Sequence, residues 1–391
     1  MTNLSYKTAG ESHGPALLTI VEGLPAGLRF DADLINLQLA RRQKGPGRSK
    51  RQAIEKDIIQ ILSGLKGGVT LGSPIAMMIQ NQDALIESLP NPTVPRPGHA
   101  DLSGILKFTN TDIRAVLERA SARETAARTA AGALAMVLLR EFNMDVFAYV
   151  REIGGIVTSG GALEANAKNI RDASPFYSLD SDADAKFLQL IEAATAGGDS
   201  LGGIIEIVVI GAPAGLGSFM SSDLRLDGRL ASALMSIPAV KGVEIGLGFD
   251  AARRMGSEVH DEICYDKNKP NGGFYRNTNR AGGLEGGMTN GEPVIVRIAM
   301  KPIPTMKKGA RSVDLKTRAQ APATYQRSDV CSVPAASVVA ESVVAFEIAK
   351  AFIEKFGGDT MGAMAASFNE WKSRILNLEG TPPPGAKVES P

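Results

Sequence analysis

DIRAVLERASARETAARTAAGALAMVLLR, residues 112–140, is rich in alanine and contains no proline. Alanine has the highest helix propensity of the natural residues and proline the lowest. This stretch is therefore the strongest helical signal in the chain, and it predicts a helix over Asp112–Arg140. The small alanine side chains leave room for another element to approach this helix closely.

The segments on either side alternate between strand and helix patterns. Apolar runs bounded by turn residues predict strands, and they cover residues 16–21, 145–156, 203–210, 240–245 and 293–300, with a strand pair at 69–71 and 75–79. Helical spacing predicts one helix that begins after a cap at Asp31. It predicts three further helices, over 54–62, 181–196 and 335–356. Strand pairs flanked by long helices favour an α+β fold over a doubly wound sheet. No G-x-G-x-x-G fingerprint opens a βαβ unit and no G-x-x-x-x-G-K-[ST] motif occurs, so we expect neither a Rossmann nor a P-loop site.

The composition is that of an ordinary globular protein. The chain has 391 residues, and its 43 Lys and Arg against 42 Asp and Glu give a net charge of +1. This balance argues against a histone-like or acidic-tail protein, so any basic patch must be local. Two cysteines argue against a disulfide framework or a cysteine-rich metal site. The N-terminus has no basic-then-apolar signal pattern and the uncharged stretches are too short for a membrane span, which predicts a cytoplasmic protein.

A basic run follows the first predicted helix. Six of the eleven residues from Arg41 to Arg51 are basic, and Gly45, Pro46 and Gly47 should break the helix there. Unpaired positive charges repel one another, and an anion relieves this repulsion. The run therefore predicts either a solvated or nucleic-acid-binding loop, or a flexible lid that brings arginine onto a phosphate or carboxylate.

The alanine-rich helix carries a similar feature. Arg119 and Arg123 are like charges four residues apart, which costs roughly 0.2–0.5 kcal/mol unless something negative lies between them, and Ser121 adds a hydroxyl nearby. The alternative is a solvated helix face.

Three histidines offer acid–base groups. His13 and His99 each lie in a loop marked by Gly or Pro beside charged residues, whereas His260 is expected to be a polar helix residue. A loop histidine can exchange a proton near neutral pH, although a lone histidine is often structural. None has the spacing of metal ligands, so we predict no metal. Asp329 precedes an apolar run, where it can be a partly desolvated carboxylate or a simple N-cap.

Nine segments, in order along the whole chain, resemble blocks of the chorismate synthase family. They are GESHGP (10–15), RRQKGPGR (41–48), RPGHAD (96–101), ERASARETAARTAAGA (118–133), AVKGVEIG (239–246), GSEVHDE (256–262), NRAGGLEGGMTNGEP (279–293), MKPIPT (300–305) and RSDVCSVPAA (327–336). One block would carry little weight, whereas nine in the right order are highly specific.

The resemblance implies a fold and an activity. The fold is a β-α-β sandwich in which two antiparallel four-stranded sheets pack with a helical core, in one domain over residues 1–380 followed by a flexible tail over 381–391. The activity is that of a carbon–oxygen lyase, which removes phosphate from 5-enolpyruvylshikimate 3-phosphate by 1,4-anti elimination to give chorismate, the last step of the shikimate pathway. Reduced FMN is required without net redox change, and NADPH is a candidate reductant. The implied assembly is a homotetramer that binds neither nucleic acid nor membrane.

The resemblance also implies site residues. His13 would be the acid that helps the phosphate depart, and His99 would protonate or hydrogen-bond the reduced flavin near its N1–C2 edge. Asp329 would lie near flavin N5 and help that nitrogen accept the ring proton. The implied FMN contacts are Arg119, Ala120, Ser121, Pro238, Ala239, Gly286, Lys301, Pro302, Ile303, Pro304, Thr305 and Arg327. The implied contacts to substrate or nicotinamide phosphate are Arg42 and Arg48, and those to substrate anions are Arg96 and Arg123.

The chain departs from the family pattern at two of these contacts and at one position in the basic run. Pro46 stands where a tyrosine is frequent, Ala120 where a serine is frequent, and Pro238 where Asn or Gln is common. A backbone contact would survive the last two changes and a side-chain contact would not. Two other functions stay open at this point: a nucleic-acid-binding module that uses the run from Arg41 to Arg51, and a phosphate-releasing enzyme without flavin, which tight binding of reduced FMN would distinguish.

Overall fold

The structure, a computed structural model, describes residues 4–48, 55–109, 112–161, 163–164, 166–325 and 328–376. The expected flexible tail over 381–391, Arg327, and the end of the basic run therefore lie outside the described residues. The helices are α1 (Ala32–Gln43), α2 (Asp101–Phe108), α3 (Ile113–Arg119), α4 (Thr125–Arg140), α5 (Ala167–Ala173), α6 (Ser181–Gly197), α7 (Leu226–Met235), α8 (Val333–Phe356) and α9 (Met361–Leu376).

The strands are β1 (Ser5–Ala9), β2 (Ala16–Glu22), β3 (Ile59–Ile61), β4 (Leu65–Lys66), β5 (Val69–Thr70), β6 (Ile75–Gln80), β7 (Asp145–Ile153), β8 (Ile156–Val157), β9 (Gly203–Ile210), β10 (Val240–Ile245), β11 (Ile263–Tyr265), β12 (Phe274–Arg276), β13 (Leu284–Glu285), β14 (Met288–Thr289), β15 (Val294–Met300), β16 (Arg311–Val313) and β17 (Gln320–Pro322).

Helices α4 and α8 pack against each other in the middle of the molecule. A Cβ atom added to Gly132 of α4 would lie 2.1 Å from the backbone oxygen of Ser342 on α8. That separation is far inside van der Waals contact, so the two helices can only meet here because residue 132 has no side chain. The alanines around Gly132 are fully buried, as the predicted close approach requires.

The two main sheets lie on opposite sides of this helix pair. The first has the antiparallel order β1-β2-β6-β3 and packs against α4, where the Thr19 hydroxyl donates to the Ala127 carbonyl over 3.0 Å. The second has the antiparallel order β10-β15-β9-β7-β8 and packs its β7 and β9 against α8. The predicted mixture of helix and sheet in an α+β arrangement is confirmed.

The prediction of two four-stranded sheets is wrong in detail. The second sheet has a fifth strand, and four further two-stranded sheets are present among the described residues. The fifth strand arises because Gly154 and Gly155, with φ of 56° and 87°, turn the chain sharply after β7. This left-handed pair of residues is the geometry of a tight hairpin, and it folds β8 back onto the end of β7.

Two local predictions are also wrong. Residues 54–62 were expected to be helical, but Ile59–Ile61 pair with β6 as a strand, and Ile58 and Leu62, expected on the apolar helix face, are exposed. Cross-strand pairing here overrides local spacing. The strands near 69–71 and 75–79 exist but do not pair with each other, because β5 pairs with β4 while β6 joins the first sheet.

A buried carboxylate ties α8 to its neighbours. Glu341 accepts hydrogen bonds from Arg41 (2.7 Å), from Arg171 (2.8 Å) and from the backbone NH of Ala148 on β7 (2.9 Å). Burial alone would raise its pKa, but the two guanidinium groups and these hydrogen bonds outweigh burial and lower the pKa to about 2. In the described part of the chain, no helix is both long and apolar enough to cross a membrane.

Gly132→Ala tests the contact between α4 and α8. The new methyl group must push the Ser342 carbonyl away, so we expect the free energy of unfolding in urea to fall by ~1–3 kcal/mol or more. Gly197→Ala is the matched control, because a Cβ at that helix position meets nothing within 4 Å. The control should be neutral or gain up to ~1 kcal/mol. Equal stability of the two variants would contradict the close contact.

Acid titration tests the Glu341 cluster. A carboxyl group whose pKa is lower in the folded state stabilises the fold fully above its unfolded value of 4.5, and this contribution is lost as the pH falls from 4.5 towards 2. Glu341→Gln should therefore flatten the acid dependence of the unfolding free energy. It should also cost ~3–5 kcal/mol at neutral pH, because Arg41 and Arg171 stay buried. Glu370→Gln, at an exposed ion pair with Arg374, should cost less than ~1 kcal/mol, and a parallel acid dependence in both variants would refute the assignment.

Candidate functional site

A cavity of about 390 Å³ lies where several loops meet the first turns of α4 and α8. This volume is typical of small-molecule sites. Its wall is built from the loop between β1 and β2, the chain after α1, residues 96–100, the junction of α3 and α4, residues 237–239, residues 300–305 and the start of α8. The N-terminal ends of two helices therefore contribute partial positive charge to it.

The predicted helix over Asp112–Arg140 is interrupted at this wall. α3 ends at Arg119, a short 3₁₀ turn covers Ala122–Glu124, and α4 starts at Thr125. Ser121 is extended (φ −70°, ψ 143°), and its hydroxyl accepts a hydrogen bond from the backbone NH of Arg123. This is an N-cap, so the serine expected as a ligand-facing hydroxyl also starts a new helical segment. The break exposes Ala120, Ser121 and Ala122 to the cavity.

His13 is held by a buried carboxylate. Its Nδ1 lies 2.8 Å from Oε2 and 3.0 Å from Oε1 of Glu118, and its backbone NH donates to the same carboxylate over 2.9 Å. Arg114 donates to Glu118 from the other side over 3.1 Å. Burial would raise the pKa of Glu118, but the hydrogen bonds and charge of His13 and the Arg114 hydrogen bond lower it below its ordinary value. The other ring nitrogen, Nε2, lies 3.7 Å from Asp83.

His99 has the same kind of support. Its Nδ1 lies 2.5 Å from Oδ1 of Asp101, and Arg96 donates to that carboxylate from Nε (2.8 Å) and Nη2 (3.0 Å). Burial opposes ionisation of Asp101, yet the hydrogen bonds from His99 and Arg96 keep its pKa well below the usual range. The third guanidinium nitrogen, Arg96 Nη1, donates to the Thr305 hydroxyl over 3.2 Å. Arg96 therefore holds Asp101 in place and also holds Thr305, which lines the cavity.

Two buried arginines share one carboxylate behind the cavity. Arg42 and Arg123 donate to opposite oxygens of Asp57, over 3.2 Å and 2.6 Å, and the Asp57 side chain is fully buried. Burial lowers the pKa of Arg42 to about 10, with Asp57 opposing the shift and Arg123 adding to it, so the group stays charged at neutral pH. Arg123 Nη2 lies 3.7 Å from Glu55 and has no hydrogen-bond partner among the described residues.

Arg48 closes the opposite side of the cavity. It donates to Asp329 over 2.7 Å and to the Ser332 hydroxyl over 3.2 Å, and Ser332 in turn donates to Asp329. Lys301 donates to the Gly98 carbonyl over 2.8 Å, and burial, followed by the charge of Lys241, lowers its pKa. Arg41 and Arg42, at the start of the basic run, are buried, which does not suit a solvated nucleic-acid-binding loop.

Most of the predicted site residues share this one cavity. Those that line it are His13, Arg42, Arg48, Arg96, His99, Ala120, Ser121, Arg123, Pro238, Ala239, Lys301, Ile303, Pro304, Thr305 and Asp329. Three described residues do not line it. Arg119 donates to the carbonyl oxygens of Gly10 and Thr8, Pro302 is exposed between lining residues, and Gly286 lies in the turn between β13 and β14. Arg327 lies outside the described residues.

Sequence reasoning missed the carboxylates behind the cavity. Glu118 and Asp101 carry no signal of their own in the sequence, since each is one of several charged residues in its segment. Glu55 and Asp57 lay in a stretch expected to be helical. The sequence feature that indicates them is their charge. They are acidic residues four and six positions after Arg51, and such residues can neutralise a basic run whose own charges repel one another. His260, expected in a helix, instead lies in a bend after the 3₁₀ turn Gly256–Glu258.

The cavity can bind an anionic ligand with a flat apolar part. Its cations are Arg42, Arg48, Arg96, Arg123 and Lys301, against two lining carboxylates, Glu55 and Asp329. The apolar wall comes from Leu117, Ile237, Pro238, Ile303, Pro304 and Val339. Cations and helix N-termini suit phosphate and the apolar wall suits an aromatic ring, so the residues present fit a flavin mononucleotide. Among the described residues, no group of three or more His, Cys, Asp and Glu side chains could hold a metal ion.

A second, larger cavity of about 610 Å³ lies on the other side of α1. It is lined by Arg41, Arg171 and Glu341, which satisfy one another, and it contains neither loop histidine. The chemistry therefore points to the smaller cavity.

Comparison with known proteins gives one consistent result. The family model described as chorismate synthase matches residues 4–353. The chorismate synthase of Desulforudis audaxviator is 52% identical over 385 residues, which cover 95% of this chain and 98% of that protein. The chorismate synthase of Geobacter sulfurreducens is 50% identical over 382 residues, covering 93% and 97%. A solved chorismate synthase crystal structure superposes with a TM-score of 0.79 at 40% identity, covering 96% of this chain and 99% of that one.

Asp57→Asn tests the shared carboxylate. Without its charge, Arg42 and Arg123 face each other in a buried site, so we expect a loss of ~3–5 kcal/mol in unfolding free energy. Inorganic phosphate, compared with chloride at equal ionic strength, should restore more stability to this variant than to the wild type, because an anion that binds only the folded state stabilises it. The control is Asp145→Asn, at a half-exposed pair with Lys168. A phosphate response that is the same in both variants and the wild type would contradict the picture.

Proposed function

Because the chain belongs to the chorismate synthase family of carbon–oxygen lyases, we propose that it catalyses the last step of the shikimate pathway. The reaction is the 1,4-anti elimination of phosphate from 5-enolpyruvylshikimate 3-phosphate to give chorismate. The proposal includes reduced FMN as a cofactor that is not consumed, NADPH as a candidate reductant, a homotetrameric assembly and a cytoplasmic location.

One observation carries the proposal. His13, Arg48, His99, Arg123 and Asp329 come from five segments of the chain and line a single cavity. Two histidines beside a concentration of arginines suit a reaction in which a phosphate leaves from a substrate that also carries carboxylates. Electrostatic stabilisation of the charge on a departing group is usually the largest catalytic term.

The arginines bind and orient the substrate in this proposal. Each of them is paired with a carboxylate in the structure, Arg48 with Asp329 and both Arg42 and Arg123 with Asp57. Substrate phosphate and carboxylates offer these guanidinium groups the same kind of partner. Binding therefore exchanges one anionic partner for another, and it moves Arg48 away from Asp329, which is then available on the flavin side of the site.

The histidines move protons. As the carbon–oxygen bond breaks, its electron pair goes to the phosphate oxygen, and His13 supplies a proton to that oxygen. The electron pair of the ring carbon–hydrogen bond forms a new double bond, and the existing ring double bond shifts by one position to the carbon that loses phosphate, so one proton is lost from the ring for each one given to phosphate. General acid catalysis of this kind typically contributes ~10²–10⁴-fold. His99, fixed by Asp101, holds a proton at the flavin edge.

When bound, reduced FMN would supply electron density as the phosphate leaves and would provide a base for the ring proton. The lining residues that would hold it are Ala120, Ser121, Pro238, Ala239 and the segment Lys301–Thr305. Arg119, Gly286 and Arg327 remain proposed contacts that the cavity of a single chain does not include. Ala120 and Pro238 can contribute backbone atoms in place of the side chains that are frequent in the family.

His13→Ala tests the acid. We expect kcat for chorismate formation, followed by absorbance under anaerobic conditions with dithionite-reduced FMN, to fall by ~10²–10⁴-fold. The affinity for FMN should change little, because the imidazole acts on the phosphate. His260→Ala is the control, since His260 lies outside the cavity, and it should retain activity. No chorismate from the wild type under fully reduced conditions would refute the function itself.

A further inference from the structure

Both cavity histidines are held in the same way. In each, Nδ1 contacts a carboxylate whose side chain is nearly or fully buried, and an arginine donates to the same carboxylate: Glu118 with Arg114 for His13, and Asp101 with Arg96 for His99. At His99 the Arg96 Nη2 also lies 3.0 Å from Nδ1, whereas no arginine nitrogen of the described residues lies within hydrogen-bond distance of the His13 ring. An ionised carboxylate only accepts hydrogen bonds. At His13 the proton between the ring and Glu118 therefore sits on Nδ1, which is the tautomer fixed by the partner.

Arg114 is itself anchored. Its Nε and Nη2 donate to the Pro90 carbonyl over 3.1 Å and 2.7 Å while Nη1 donates to Glu118. Glu118 also accepts the backbone NH of His13, and its backbone carbonyl accepts the NH of Ser12. The loop that carries His13 is therefore fastened to α3 by Glu118 and, at Gly10, by Arg119, and the Glu118 carboxylate orients the imidazole ring through Nδ1.

We propose that Glu118 is a positioning residue for the elimination: it fixes the proton of His13 on Nδ1, leaves Nε2 as the nitrogen that gives a proton to the departing phosphate, and stabilises the imidazolium before transfer. This inference rests on the proposed function of His13. After transfer the ring is neutral and still donates from Nδ1 to Glu118, so the glutamate gains no proton at any point.

The charge of Glu118 dominates the surroundings of His13. Asp83 faces Nε2 at 3.7 Å, and Arg114 faces Glu118. The other charged groups nearby are Glu11, whose carboxylate lies beside the neighbouring Gly14, and Arg42, Glu55 and Arg123 across the shared cavity. Glu118 is the one of these that touches the ring within hydrogen-bond distance and is fully shielded from water, so its charge acts at low local dielectric.

Glu118→Gln removes this charge and keeps the volume. The glutamine amide has one acceptor oxygen and one NH₂ donor, so it cannot accept hydrogen bonds at both positions as the carboxylate does. Either its oxygen faces His13 and the hydrogen bond from Arg114 is lost, or its NH₂ faces Nδ1 of His13. We expect kcat to fall by ~10-fold or more while KM and the FMN dissociation constant stay within about twofold, a split like that of other groups supporting a functional residue. The alkaline limb of the kcat profile should move to lower pH, because the imidazolium has lost its counter-charge.

Glu124→Gln is the matched control. Glu124 is a glutamate on the next helical segment whose side chain is 11% exposed. It is paired with Arg128 four residues on, and it contacts Thr8 instead of a histidine. Its replacement should leave kcat and the pH profile unchanged. Glu118→Asp, which keeps the charge and shortens the reach, should lower kcat without moving the alkaline limb.

Nitrogen-15 spectroscopy of the ring gives a readout independent of activity. The chain has three histidines, so His99→Ala and His260→Ala assign the His13 signal in the protein without flavin or substrate. Neutral His13 should carry its proton on Nδ1 in the wild type and shift towards Nε2 in Glu118→Gln. An unchanged tautomer together with an unchanged pH profile would overturn the inference. A wild type that makes no chorismate yet shows the Nδ1 tautomer would instead refute the proposed function.

Discussion

The close contact between α4 and α8 at Gly132 is the constraint on which the rest of the molecule depends. It brings two helices together with no side chain between their backbones, and it sets the distance between the sheets on either side. Residues of the first turn of α4 and of the first turn of α8 line the same cavity wall. The site is therefore a consequence of core packing, since both helix N-termini reach it together.

Buried charge is the second theme of the structure. Arginines reach the interior at Arg41, Arg42, Arg96 and Arg123, and each is matched by a carboxylate. A buried cation without a partner is costly in free energy. A cation that is paired with a carboxylate can instead pair with an anionic ligand that replaces this carboxylate. The Glu341 cluster is fully internal and serves the fold. The pairs at Asp57 and Asp329 border the cavity, so they keep the site charged and ordered until an anion replaces the carboxylate.

The central helix contact and most of the cavity residues could be predicted from the sequence. The helix break, the buried carboxylates and the fifth strand could not be predicted, for physical reasons. The alanine-rich run indicated a close helix contact, and the loop histidines and arginines were found because their neighbours are Gly, Pro and like charges. The helix break at Ser121 could not be predicted, because a serine that caps a helix inside a helical pattern cannot be distinguished by sequence from any other polar residue. Glu55 and Asp57 were missed because apolar spacing over 54–62 predicted a helix, and pairing with β6 made a strand instead. The fifth strand of the second sheet depends on two consecutive left-handed glycines after β7.

The most direct test is a crystal structure of the chain with FMN and 5-enolpyruvylshikimate 3-phosphate. The account predicts both ligands in the cavity between His13 and His99, with the substrate phosphate on Arg48 or Arg123 and Arg48 no longer bonded to Asp329. Ligands bound in the other cavity, or a substrate phosphate remote from every one of these arginines, would contradict it.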